Sequence, residues 1–318
     1  MRRNAITGAI VWSALFIAAE TGAVDLAWIE LLFLLAPLVI VPLGLFLTER
    51  VEGAWAAPHP EGVAKTIQLP AALMVIVSFF FQPGILAAGF ATAWILFGGL
   101  LAAGAFVRIV RGAVRKLDLL CPAAAFVYSL IGAAWLVASR LGLNPMGFEE
   151  PIVLLTAVHF HFAGFAAALL ARSPGRAAAD SRASGVMAGL FRVVTAGVLI
   201  GPGLLAIGFV AGPRVKLAAA LVLSLSELGL AISFVFALKT VARFSAQLHL
   251  TIAAASIAFS MALAAVWAIG EYPLQQFVNL DQMERFHGTV NALGFTLCGL
   301  IGWILATSKA TQQAGQPQ

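Results

Sequence analysis

What most constrains this chain is the recurrence of apolar runs long enough to cross a bilayer. A membrane's hydrocarbon layer is about 30 Å thick, which an α-helix traverses in about 20 residues. Runs of that kind fall at residues 6–24, 26–48, 66–83, 86–108, 118–139, 151–172, 188–211, 216–238, 249–270 and 285–308. Charged residues make up only 10% of the chain, too few to cover a water-facing globule, for which about 25% is usual. Ala, Leu and Gly dominate the runs, and the strict alternation of a barrel strand is absent. Backbone polar groups must then be satisfied within helices. The sequence predicts an all-α, polytopic integral membrane helix bundle of about ten transmembrane helices. It excludes a soluble enzyme, a disordered chain and a collagen-like fibre.

Charge gives the bundle a direction. If every run crosses and the N-terminus is cytoplasmic, Lys and Arg collect on one side, and only Arg140, Arg214, Lys216 and Arg285 fall on the other. The preference of basic residues for cytoplasmic loops then puts both termini in the cytoplasm. A net charge of +5 is therefore read as topology rather than as affinity for nucleic acid. Met1, Arg2 and Arg3 before an apolar stretch resemble a secretion signal, but Glu20 and the immediate second run favour a retained first span. Cys121 and Cys298 lie inside apolar runs and read as buried, inert thiols. The small, polar segment 173–187 reads as a cytoplasmic linker between a first membrane half, 1–172, and a second, 188–308, with a disordered tail at 309–318. Such a division invites an inverted repeat, although the halves share no convincing sequence match.

Ionisable side chains within spans cost about 2.5–3.5 kcal/mol on insertion scales and usually face a bundle interior or a cavity. Here they are Glu20, Glu30, His159, His161, Glu227 and His287, with Glu271 at a run's end. Under the topology above, all but the midplane Glu227 gather towards the outer leaflet. Residues two apart on an α-helix point about 200° apart, so His159 and His161 cannot face one point unless their helix is distorted. His287 and Asn291, four apart, share a face. Imidazoles with a carboxylate suit zinc or another divalent metal with one position left to water, and His159, His161 and His287 are the expected ligands. No His-x-x-x-His pair fixes two ligands on one turn. A metal-free alternative therefore stands beside it, in which Glu20, Glu30 or Glu227 acts as a buried carboxylic acid. Asn291, Glu227 and Glu271 are the expected substrate-binding groups. Pro37 and Pro42 should kink the second run. Trp12, Trp28 and Trp303 are expected at span ends or against lipid.

The segments LTAVHFHFAGF at 155–165 and MERFHGTVNALGF at 283–295, together with the run that begins at Glu30, resemble signatures of the YndJ-like family of bacterial multi-pass membrane proteins. The resemblance extends from about residue 26 to about residue 305 and implies a bacterial inner (cytoplasmic) membrane. It singles out the same His159, His161, His287 and Asn291, but supplies no activity, substrate or cofactor. Members can carry an additional soluble domain, for which this chain leaves no room. The expected function is a membrane-embedded enzyme acting on a lipid or isoprenoid-like substrate near the outer leaflet. His159, His161 and His287 would bind metal or shuttle protons there, with Glu30 or Glu20 as acid/base. Two alternatives stand beside it: a proton-coupled small-solute transporter whose halves rock about a central site, and a non-catalytic sensor or assembly protein whose histidines fasten helices.

Overall fold

The computed structural model describes residues 1–52, 59–111, 117–172, 185–271, 275 and 277–307. Among them there is no strand. The helices are α1 (Arg2–Glu20), α2 (Trp28–Val51), α3 (His59–Phe79), α4 (Ile85–Val110), α5 (Leu117–Leu141), α6 (Ile152–Arg172), α7 (Gly185–Ala211), α8 (Pro213–Thr240), α9 (Phe244–Glu271) and α10 (Leu280–Thr307). Nine of these helices are long and apolar enough to cross a membrane. The exception is α1, whose ends carry Arg2, Arg3 and Glu20. The protein is an all-helical, multi-pass membrane protein. Residues 173–184 and 308–318, which hold most of the expected linker and tail, lie outside the described residues.

Two compact units divide the chain: Met1–Phe46 with Ala54–Ala166, and Leu47–Gly53 with Ala167–Gln318. The first is organised around α2, the most enclosed span, with residues 31–41 all buried. Along it lies α1, antiparallel. Gly8 abuts the Leu38 backbone so closely that any Cβ would collide with its carbonyl, Trp12 Nε1 donates to Leu31 O at 2.8 Å, and Phe16 meets Trp28 edge-on at 6.1 Å.

The expected disruption at Pro37 takes the form of a π-wound turn, Ala36–Ile40, in which the Val41 N–H donates to Ala36 O. This widened pattern frees the Pro37 carbonyl, and Gln68 Nε2 of α3 caps it at 2.8 Å while Gln68 Oε1 accepts from Asn4 Nδ2 at 3.0 Å. A buried carbonyl released by the winding thus finds a side-chain donor, as the apolar interior requires.

In the second unit, α7 and α8 form a hairpin turned by Gly212, whose φ of 112° favours glycine. A short turn leads into α9, where Gln247 Nε2 holds the Val241 carbonyl at 2.8 Å. Antiparallel to α9 runs α10, with Leu250 against Gly302, Ser256 against Gly294 and Ser260 beside His287. Most of the first two-thirds of α10 is π-wound, over Met283–Gly288 and Val290–Leu297. The interior face of α8 meets α10 through Phe234, whose ring lies 6.2 Å from Phe295 and 5.8 Å from Trp303. Trp303 was expected at a span end or in lipid, but it is buried in this aromatic cluster.

Candidate functional site

Within the first unit, two of the expected site residues, His161 and Glu30, hold structural bonds. His161 is fully buried in the π-wound stretch Phe160–Ala166 of α6. Its Nε2 accepts from Trp94 Nε1 at 2.9 Å, and Nδ1 donates to Ala157 O at 2.8 Å. With both ring nitrogens engaged, the imidazole is neutral and has no lone pair left for a metal. Phe33 meets it edge-on at 5.2 Å, and Gly132 provides the space, since a Cβ there would lie 2.6 Å from Nδ1. His159, the last α-wound residue before this stretch, is half-buried and edge-on to Phe160 at 6.2 Å. Glu30 Oε2 accepts the Ala27 N–H at 2.9 Å at the start of α2, the one half of a capping box that an alanine N-cap allows. Glu20 is exposed at the end of α1.

Two features of this unit were not anticipated. Arg140 is buried, and its Nη2 donates to Phe81 O at 2.6 Å and to Ser78 O at 3.2 Å. Its guanidinium, 4.9 Å above the Phe79 ring, therefore holds the α3–α4 turn. At the opposite ends of these two helices, Glu61 and Arg108 form a buried two-pronged pair, with Nη2 to Oε2 at 2.6 Å. Gly104 leaves room for the Glu61 stem. Both cations were counted as loop charges.

In the second unit, Glu271 pairs with Lys216 at 2.6 Å. His287 and Ser260 clasp α10 to α9: His287 Nδ1 donates to Ser260 O at 3.0 Å, and Ser260 Oγ donates to His287 O at 3.2 Å. Glu227, in the middle of α8, is different. It is 1% exposed, and neither carboxylate oxygen has a hydrogen-bond partner among the described residues. Phe234, seven residues on and hence on the same face, touches Phe295, Trp303 and the Gly299 position of α10. Asn291 is buried, as is Thr296 five residues further on. The Thr296 hydroxyl likewise has no partner among the described residues.

Thr296 breaks a pattern. Thr66, Thr92, Thr156 and Thr307 each donate to the carbonyl four residues back. The i→i+5 winding around Thr296 displaces that carbonyl. The interior of this unit therefore offers a carboxyl, a hydroxyl and a carboxamide, with no basic group seen to pair with the carboxyl. Among the described residues, no three of His, Cys, Asp and Glu come together as a metal-binding group. Sequence reasoning found Glu227 and Asn291 but missed Thr296, because an isolated threonine in an apolar run carries no signal until the winding is known.

A family model described as YndJ-like protein matches residues 31–295. The uncharacterized membrane protein YndJ of Bacillus subtilis (strain 168) is 28% identical over 97% of this chain and 54% of its own length. The chain thus spans about half of that relative. No solved structure matches.

Proposed function

This chain belongs to the YndJ-like family, and from that premise we propose that it is a membrane carrier whose cycle turns on the uptake and release of one positive charge at Glu227. The observation that supports this is a carboxyl 1% exposed in the middle of a span, with neither oxygen bonded. A lone carboxylate in such surroundings costs several kcal/mol, so it holds a proton or another monocation at rest. A group of this kind has no use in fastening helices, because it fastens nothing. Ionisable residues kept inside spans at that cost commonly serve ion pathways and proton relays. By contrast, the enzyme reading leans on His159, His161 and His287 with Glu30 or Glu20, and of these His161, His287 and Glu30 already carry structural bonds. The proposed seat is the bacterial inner membrane, with both termini cytoplasmic and the moving solute a small one.

The test uses full-length protein in liposomes adsorbed to a solid-supported electrode. Rapid jumps in pH or in alkali-cation concentration should displace charge in the wild type and displace none in Glu227→Gln, which keeps shape and loses the titratable oxygen. Equal currents in the two proteins, or none in the wild type for any ion, would overturn the proposal.

A further inference from the structure

Resting on that reading of Glu227, we infer that the charge it takes up is a proton, carried as an un-ionised carboxylic acid, rather than a metal ion. The helices of its unit bring no second charge to the middle of the span. Between Lys216 and Lys239, Glu227 is the one ionisable residue of α8. Those lysines stand about 16 and 18 Å away by helical rise. Lys216 pairs with Glu271, and Lys239 lies over the Phe236 ring. On α7, packed against α8 through Gly197 and Ser226, no ionisable residue follows Arg192. On α9 none lies between Glu271 and His249, whose Nδ1 donates to Ser245 O at 2.7 Å. On α10 none lies between Cys298 and His287, which Ser260 O holds.

The surroundings of the carboxyl then choose between a proton and a metal ion. A hard cation takes about six or more oxygens at about 2.3–2.6 Å, which sets neighbouring ligands about 3.5 Å apart. A hydroxyl or amide sharing a small ion with Glu227 would stand within hydrogen-bonding range of its oxygens, and among the described residues none does. Two of the α8 hydroxyls are turned to their own helix: Ser226 Oγ donates to Val222 O and Ser233 Oγ to Gly229 O, both at 2.7 Å. A larger ion such as potassium is held by rings of backbone carbonyls. Here α8 is α-wound from Pro213 to Ala237 and α9 from Phe244 to Glu271, so their carbonyls are taken by the helices' own N–H groups. Pro202 releases one carbonyl on α7, that of Val198, which is far short of a cage.

A proton needs no such shell. It bonds covalently to one oxygen, removes the charge, and leaves a neutral carboxyl that an apolar interior tolerates at far lower cost than an ion. With neither oxygen bonded, the carbonyl of that acid accepts no hydrogen bond. The proton therefore has a signature that no metal-bound state shares: an acid carbonyl stretch at the high-frequency, unbonded position, in place of the two lower bands of a carboxylate. With one acid in the middle of these helices, the site takes one proton per chain.

Full-length protein in liposomes at neutral pH should show that acid band in the infrared difference between wild type and Glu227→Gln, unchanged when Na⁺ or K⁺ replaces choline in the buffer. On the solid-supported electrode, a pH jump should displace charge in the wild type, while a Na⁺ or K⁺ jump at constant pH displaces none. This second measurement needs no variant, and matching size-exclusion profiles for the two proteins separate loss of the acid from loss of the fold. Two results overturn the proton inference alone: a difference spectrum that shows carboxylate in place of the acid, or charge displaced by an alkali-cation jump at constant pH and lost in Glu227→Gln. No charge displaced by any jump, with the acid band present, overturns the carrier reading and leaves the resting proton in place.

Discussion

A buried side chain whose every polar atom is answered is a structural candidate, and His161 is one. Replacing it with Ala strands the Trp94 N–H and the Ala157 carbonyl in a dry interior and opens a void beside Phe33. The expected loss is about 2–4 kcal/mol, combining unsatisfied polar groups with a cavity. Trp94→Phe, which keeps most of the packing and deletes one donor, should cost about 1–2 kcal/mol. The two changes should be strongly non-additive, because each breaks the same bond. Unfolding in mixed micelles measures all three proteins, and an unchanged His161→Ala would end the structural assignment. The sequence showed that a histidine was buried here. It could not show that Trp94, 67 positions away, donates to it.

At the scale of elements, hydropathy located the spans, because a helix in hydrocarbon must be apolar over its whole crossing. It was silent about pairing at span ends. Arg108 was read as a loop cation, and Glu61 lay outside the third run as drawn from residue 66, yet the two are buried against each other and join the start of α3 to the end of α4. Breaking such a pair from one side leaves an uncompensated charge. Arg108→Met should therefore destabilise by about 3–5 kcal/mol, and adding Glu61→Leu should restore most of the loss. A double variant no more stable than the single one, in the same unfolding assay, would contradict this. Winding was only half legible. Two histidines two apart demanded a distorted helix if both were to act together, and α6 does change from α to π winding between His159 and His161. The long π-wound stretch of α10 left no trace in composition, since apolar residues satisfy either winding, and so Thr296 went unnoticed.

For the whole molecule, the parity of the crossings decides which side each terminus takes. Among the described residues nine helices qualify as spans by length and apolarity, and an odd number would put the termini on opposite sides of the membrane. The packing of α1 argues for one more crossing. Its 19 residues extend about 28 Å, the depth of the hydrocarbon layer. They run antiparallel along α2, from Gly8 at Leu38 through Trp12 at Leu31 to Phe16 at Trp28. A helix that accompanies the most enclosed span over that length shares its depth. Its low mean hydropathy comes from Arg2, Arg3 and Asn4 at one end and Glu20 at the other, where the headgroups begin. If α1 crosses, the number of crossings is even, and both termini are expected on the side that holds most of the Lys and Arg. Green fluorescent protein, which matures in the cytoplasm and stays dark when exported unfolded, should then fluoresce at either end. In Ala23→Cys, the exposed new thiol between α1 and α2 should react with an impermeant maleimide added to intact cells. A dark N-terminal fusion beside a bright C-terminal one would mean that α1 does not cross. On that topology Glu30 and Glu150 are expected at the outer ends of α2 and α6, and Glu61 with Arg108 at the inner ends of α3 and α4.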